Sequence, residues 1–293
     1  MHAELKLHHP DILAIVRQAL SPANLLAAGG ILLASLVAAA PLSAQVGLGL
    51  APMRVELRLA AGGQYTGALA LTSDSEGTVR VVAGALDFFI DATGNPQFSP
   101  LVSSEAEYTC RDWLALNPME MELARAVQSP VRYTLRVPPG AAARSYHCAA
   151  GFTTVPTAGD LKTTGLKSAV RIVAVFYVVV GNPPSEGTID GLQLRYVQEG
   201  QDAGWRAVVS IRNSGLMHFR PAGELQVLDA SGAAVESASF VPMPVLPRRV
   251  QEFPFPLKLS AGPGPYTLRV RVDLGGDEIQ EATAAVTAER PAP

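Results

Sequence analysis

Val131-Arg132-Tyr133-Thr134-Leu135-Arg136-Val137 places apolar side chains at every odd position and polar ones at every even position. That period of two is a strand with one face in a core and the other in water. Pro138-Pro139-Gly140 stops it. Arg54-Val55-Glu56-Leu57-Arg58-Leu59 alternates in the same way and is stopped by Ala61-Gly62-Gly63. Further strands are predicted over Gly67–Leu71, Val79–Phe89, Trp113–Leu116 and Arg144–Thr154. In the last of these Tyr146, Cys148, Ala150 and Phe152 share the inward parity. His147 then falls on the opposite, solvent-facing parity.

The second half repeats the style. Trp205, Ala207, Val209 and Ile211 alternate with Arg206, Val208, Ser210 and Arg212, and Asn213-Ser214-Gly215 turns the chain. Leu225–Leu228 runs into Asp229-Ala230-Ser231-Gly232, and Tyr266–Val272 alternates before Gly275-Gly276. Short strands separated by turn residues, with few helix signals, predict an all-β chain of two immunoglobulin-like β-sandwich domains. Val241–Pro256 carries five prolines and is predicted to be an edge segment or an extended crossover, because proline donates no ladder hydrogen bond. Ala169–Val180 (AVRIVAVFYVVV) is apolar on both faces apart from Arg171, so it is either central in its domain or pressed against the second one. Gly181–Gly187 (GNPPSEG) reads as the linker. The boundaries follow: a leader over 1–44, a first domain over 45–182, a linker over 183–187 and a second domain over 188–293.

Leu25–Ala39 is an uncharged apolar run of 15 residues, preceded by Lys6 and Arg17 and followed by Leu42-Ser43-Ala44. That length suits the core of an export signal and is short for a membrane span, which needs about 20 residues. An uncleaved N-terminal anchor is the alternative, and it would be the chain's one link to a membrane. Either reading sends the remainder to the periplasm or the cell exterior. In such an oxidising compartment Cys110 and Cys148 are candidates for a disulfide, the alternative being two buried free thiols.

The 293 residues are 48% hydrophobic with a net charge of -3, which argues against a nucleic-acid partner and against disorder. Three of five histidines, His2, His8 and His9, lie in the leader; His147 and His218 with one cysteine pair make no zinc pattern. No phosphate loop and no nucleophile motif is present, so neither an enzyme nor a cofactor is expected. Glu120 and Glu122 are read as a solvated loop. Asp273, Asp277 and Glu278 beside Gly275-Gly276 fix no calcium geometry, and no metal site is assigned.

An ordered set of segments resembles the N-terminal domain of periplasmic pilus-assembly chaperones, the PapD-like fold. Leu50–Val55 resembles the opening strand, with its arginine at Arg54, and Gly67–Thr72 the next. Trp113-Leu114 followed by Pro118 resembles a Trp-Leu…Pro segment. Arg144-Ser145-Tyr146 to Phe152 resembles the Arg-Glu-Ser strand, and Val175-Phe176-Tyr177 a closing hydrophobic-aromatic triplet. The second domain is similar to generic bacterial surface immunoglobulin-like modules. The resemblance implies a protein that binds pilus or surface-fibre subunits by sheet-edge complementarity. Two basic residues would grip a subunit's terminal carboxylate. One matches Arg54; where the family has a lysine this chain has Ala174. The nearest base, Arg171, lies on the other face by its odd offset from Ala174. Arg54 and Arg171 are the candidate partner-binding residues. The alternative function is a structural or adhesive envelope protein built of spacer domains.

Overall fold

The computed structural model describes residues 47–98, 103–155, 169–198, 203–259 and 262–289. The leader reading lies outside them. Two β-sandwiches follow one another.

The first is built from β1 (Leu48–Ala51), β2 (Arg54–Leu59), β3 (Gln64–Ser73), β4 (Val79–Leu86), a small hairpin of β5 (Phe88–Ile90) and β6 (Pro96–Phe98), β7 (Leu114–Asn117), β8 (Glu120–Leu123), β9 (Ser129–Arg136), β10 (Ser145–Val155) and β11 (Arg171–Val180). One sheet has the order β1-β3-β9-β7 and the other β2-β11-β10-β4-β8. The chain thus crosses from one sheet to the other between β1 and β2, at Pro52-Met53. The two inner faces interlock through Leu69, Leu71, Leu123, Leu135, Phe152 and Phe176, all sealed from water. The alternation of β2 and β9 puts Val55 and Val131, Tyr133 and Leu135 on the inner side, as their period requires.

The second sandwich has β12 (Gly187–Val197), β13 (Gly204–Asn213), β14 (Ala222–Leu228), β15 (Ala234–Ser239), β16 (Val250–Leu257), β17 (Gly264–Asp273) and β18 (Ile279–Ala288). Its sheets run β12-β13-β16 and β15-β14-β17-β18. Ile211, Leu225, Phe253 and Leu268 form its core. β16, with Pro254 and Pro256, sits at a sheet edge, where a missing N–H breaks no ladder. Both sandwiches lock a corner with a tyrosine. The Tyr146 hydroxyl donates to the Ala142 carbonyl at 3.1 Å, and the Tyr266 hydroxyl to the Gly262 carbonyl at 2.6 Å.

Two expectations are corrected. Val79–Phe89 is not one strand: Asp87, buried, interrupts it and accepts hydrogen bonds from the Thr109 hydroxyl at 2.8 Å and Arg111 at 2.7 Å. Glu120 and Glu122 lie on strand β8, with Glu120 paired to Arg80, and not in a loop.

His147 is the third correction and the one with consequences. It is 2% exposed, not solvent-facing. Parity holds, since His147 is on the face opposite Cys148. That face, however, is covered by Phe88, Ile90 and Tyr177 of the first sandwich and Leu246 of the second, with Phe98 beside them. The β5–β6 hairpin folds back over the sheet, and the second sandwich closes the rest. The Ser145 N–H donates to the Leu216 carbonyl at 2.8 Å. The Ala92 carbonyl at the hairpin tip accepts from the Glu252 N–H and the Gln251 side chain, each at 3.0 Å. β11, read as apolar on both faces, is covered on both. Phe176 and Val178 enter the first core, and Tyr177 enters this small interdomain core.

Candidate partner-binding site

Cys110 and Cys148 form a disulfide with a Cα separation of 5.2 Å, both fully buried. It ties the loop ahead of Trp113 to β10, where Trp113 packs on Tyr146 with ring centroids 4.3 Å apart.

The edge of β11 decides what the site can bind. β10 pairs with β11 along Arg171–Val179 on one side. On the other, β2 runs parallel to it only from Val175 to Val180. The Val175 N–H donates to the Met53 carbonyl at 3.0 Å, while the Val180 N–H turns the other way, to Arg144. Backbone groups alternate sides along a strand, so odd residues of β11 aim at the β2 side. Arg171 and Val173 therefore direct N–H and C=O groups to a stretch of edge that no strand covers among the described residues. Val173 and Val175 are half-buried beside it.

Arg54 is the first residue of β2 and stands opposite Val175, at the boundary between covered and open edge. Its guanidinium is about half exposed and meets Glu56 at 3.3 Å. Arg171 lies at the far end of the open stretch and donates to the Thr153 hydroxyl at 3.0 Å. Arg54 and Arg171 share the outer face of the sheet, with Val173, Val175 and Tyr177, but four residues of strand, about 13 Å, keep them from acting on one group. Ala174 is completely buried in the first core. A side chain there does not reach the outer face.

Beyond Arg54 the outer face of β2 runs into a cleft of about 460 Å³ between the sandwiches, lined by Glu56, Arg58, Tyr177, Met217, His218 and Arg220 among others. Arg220 reaches Glu56 at 2.7 Å and lies 4.9 Å over the Tyr177 ring. Burial pushes the Tyr177 hydroxyl up to about 12. His218 is pushed down to about 3 by burial and by the neighbouring Arg220, His147 and Arg58. Burial holds His147 down at about 4. At neutral pH the two imidazoles are uncharged, and the cleft's charge comes from its arginines and Glu56. Such a set holds an anion; the Ser145 hydroxyl, 2.9 Å from His218 Nδ1, is itself buried.

Glu56 and Arg58 are legible in retrospect, since they share the parity of Arg54 on an alternating strand. Arg220 carries no such signal. It arrives from a loop of the second sandwich, and only the packing of Tyr177 between the domains explains its place.

No family model and no curated protein matches the chain. Solved structures do. A chaperone–tip adhesin complex of CFA/I fimbriae aligns with 82% of this chain and 98% of that chain at 11% identity and a TM-score of 0.43. The Pseudomonas aeruginosa CupB2 chaperone aligns over 82% and 100% at 14% identity and a TM-score of 0.40. The E. coli chaperone DraB aligns over 80% and 98% at 14% identity and a TM-score of 0.39. At these identities the likeness is one of fold alone.

Proposed function

We propose that this protein is an exported accessory chaperone for pilus or surface-fibre subunits. It would work as two modules joined at 183–187, in the periplasm or at the cell surface, after export through the leader over 1–44. It takes no cofactor in this reading and its partners are proteins. The observation that carries the reading is the open edge of β11 beside Arg54. A strand added there parallel to β11 lies in line with β2 and brings its C-terminus to Arg54. Edge backbone groups supply hydrogen bonds to any extended segment, and the guanidinium supplies the end stop. Losing a charge-assisted bond of this kind costs about 1.5–3 kcal/mol, roughly ten- to a hundredfold in affinity.

Val173→Pro tests the edge. It removes an N–H that faces the open side and leaves the even-numbered groups that pair with β10. Arg54→Ala tests the anchor without touching Val55. Partner recovery from periplasmic extracts should fall for both variants, with circular dichroism unchanged. Equal recovery by wild type and both variants sinks the reading. One observation favours the second reading, an envelope spacer: Arg54 already has a carboxylate neighbour in Glu56. A spacer loses no partner on either substitution.

A further inference from the structure

The cleft is lined by two guanidiniums, those of Arg58 and Arg220, and a single carboxylate, Glu56; with Arg54 at its mouth the group carries two positive charges in excess. The carboxylate is shared unequally. Arg54 Nε and Arg220 meet the same oxygen, Oε1, at 3.3 and 2.7 Å. Among the described residues Arg58 has no carboxylate partner and rests against the Met217 sulfur at 3.8 Å. The two members of the main pair also differ in freedom. Arg220 is only 18% exposed and backed by the Tyr177 ring, whereas the Glu56 side chain is 45% exposed on the outer face of β2. The arginine is fixed and the glutamate is free to swing into water.

We infer that Glu56 is a built-in competitor for the cleft. Its carboxylate occupies the guanidiniums in the unbound protein and is displaced by the carboxylate of an incoming chain end. This rests on the reading above, that a client's terminal carboxylate stops at Arg54, here at the mouth of the cleft. Arg220 and Arg58 become positioning residues of the same site, supplied by both sandwiches. A half-exposed ion pair in water is weak, so Glu56 yields without distorting the fold. Occupying the arginines between clients has a consequence for selectivity. A ligand must bring both a carboxylate and an extended segment for β11 to win the exchange. A free small anion brings only the first.

The test compares wild type with Glu56→Gln, which keeps the shape and removes the charge. The probe is a labelled hexapeptide of alternating valine and threonine with a free C-terminal carboxylate, set against the same peptide as its amide. Binding is followed by fluorescence anisotropy, with thermal unfolding as the folding control. Glu56→Gln should bind the carboxylate peptide about two- to fivefold more tightly than wild type does. The amide peptide should bind the two proteins equally. Adding Arg220→Ala to Glu56→Gln should abolish the gain. Equal affinity of wild type and Glu56→Gln for the carboxylate peptide overturns the competitor role and leaves the cleft reading standing. No preference for carboxylate over amide in either protein, or no binding at all, removes the cleft reading itself and the inference with it.

Discussion

β10 and β17 occupy matching places, each carrying the tyrosine that locks its sandwich corner, yet water treats them differently. In β17 inward Tyr266, Leu268, Val270 and Val272 alternate with outward Thr267, Arg269 and Arg271, and burial alternates with them. In β10 every residue from Ser145 to Phe152 is buried. Its outward positions are His147, Ala149 and Gly151, small or flat side chains over which the β5–β6 hairpin and Leu246 close. A strand's own pattern reports which residues share a face. What covers that face comes from elsewhere in the chain. Here it comes from a hairpin insertion and a second domain, and the cover turns an ordinary outer face into an interdomain core.

Acid should break the comparison most strongly. His147 and His218 both lie on the covered side, close enough for the charge of one to oppose that of the other. Asp87, Tyr108 and Tyr177 surround them, with Arg58 and Arg220 on the cleft side. Both imidazoles are held neutral, at about 4 and about 3, against an ordinary value of 6.5. Below pH 6.5 the unfolded chain takes up these protons and the native one does not. The stability they permit is therefore complete above that value and lost as pH falls through 4 and then 3. The loss is on the order of 3 kcal/mol for each group. Denaturant unfolding followed from pH 7 to pH 4 should show this decline, and His147→Leu should remove about half of it, leaving the share of His218. A wild-type profile no steeper than the mutant's would show that His147 is not held neutral.

Removing the cover comes next. Phe88 is 2% exposed and packs against Phe98, with ring centroids 5.4 Å apart. Phe88→Ala should cost roughly 3–5 kcal/mol and expose the His147 face. Thr267→Ala on the uncovered face of β17 should change stability by less than about 0.5 kcal/mol. Chemical unfolding midpoints check both. Similar values for the two would mean that the outer face of β10 gains nothing from its cover.

The disulfide sharpens the contrast from the inner side of β10. It closes a loop of 38 residues, which the chain-entropy model values at ~4 kcal/mol before strain. Cys148→Ala should lower stability by about 2–4 kcal/mol, and reduced wild type should match it. Unchanged unfolding on reduction would leave Trp113 and Tyr146 as the real tie between that loop and β10.

The two-sandwich fold was legible because its strands obey a period of two with turn residues between them: Val131–Val137, Arg54–Leu59 and Tyr266–Val272 are placed as their alternation requires. The inward direction of Cys148 followed from the same arithmetic. Arg54 was legible as an outward residue at a strand start. The break at Asp87 was not, because an aspartate inside an apolar run reads as an outward residue of a continuous strand until Thr109 and Arg111 arrive to satisfy it. Phe88-Phe89, where the hairpin begins, reads as the end of the longer strand Val79–Phe89 for the same reason.

The sequence by itself determined which side chains share a face and where each strand stops, since both follow from backbone geometry over a few residues. Tertiary structure alone decided which faces stay wet. It buried His147, whose parity had pointed to water. It sent Ala174 into a core and left Arg171 too far along the strand to join Arg54. It brought Arg220 from the second sandwich to Glu56, 164 residues apart in the chain. Burial and charge pairing are sums over neighbours distant in sequence, and no local pattern encodes them.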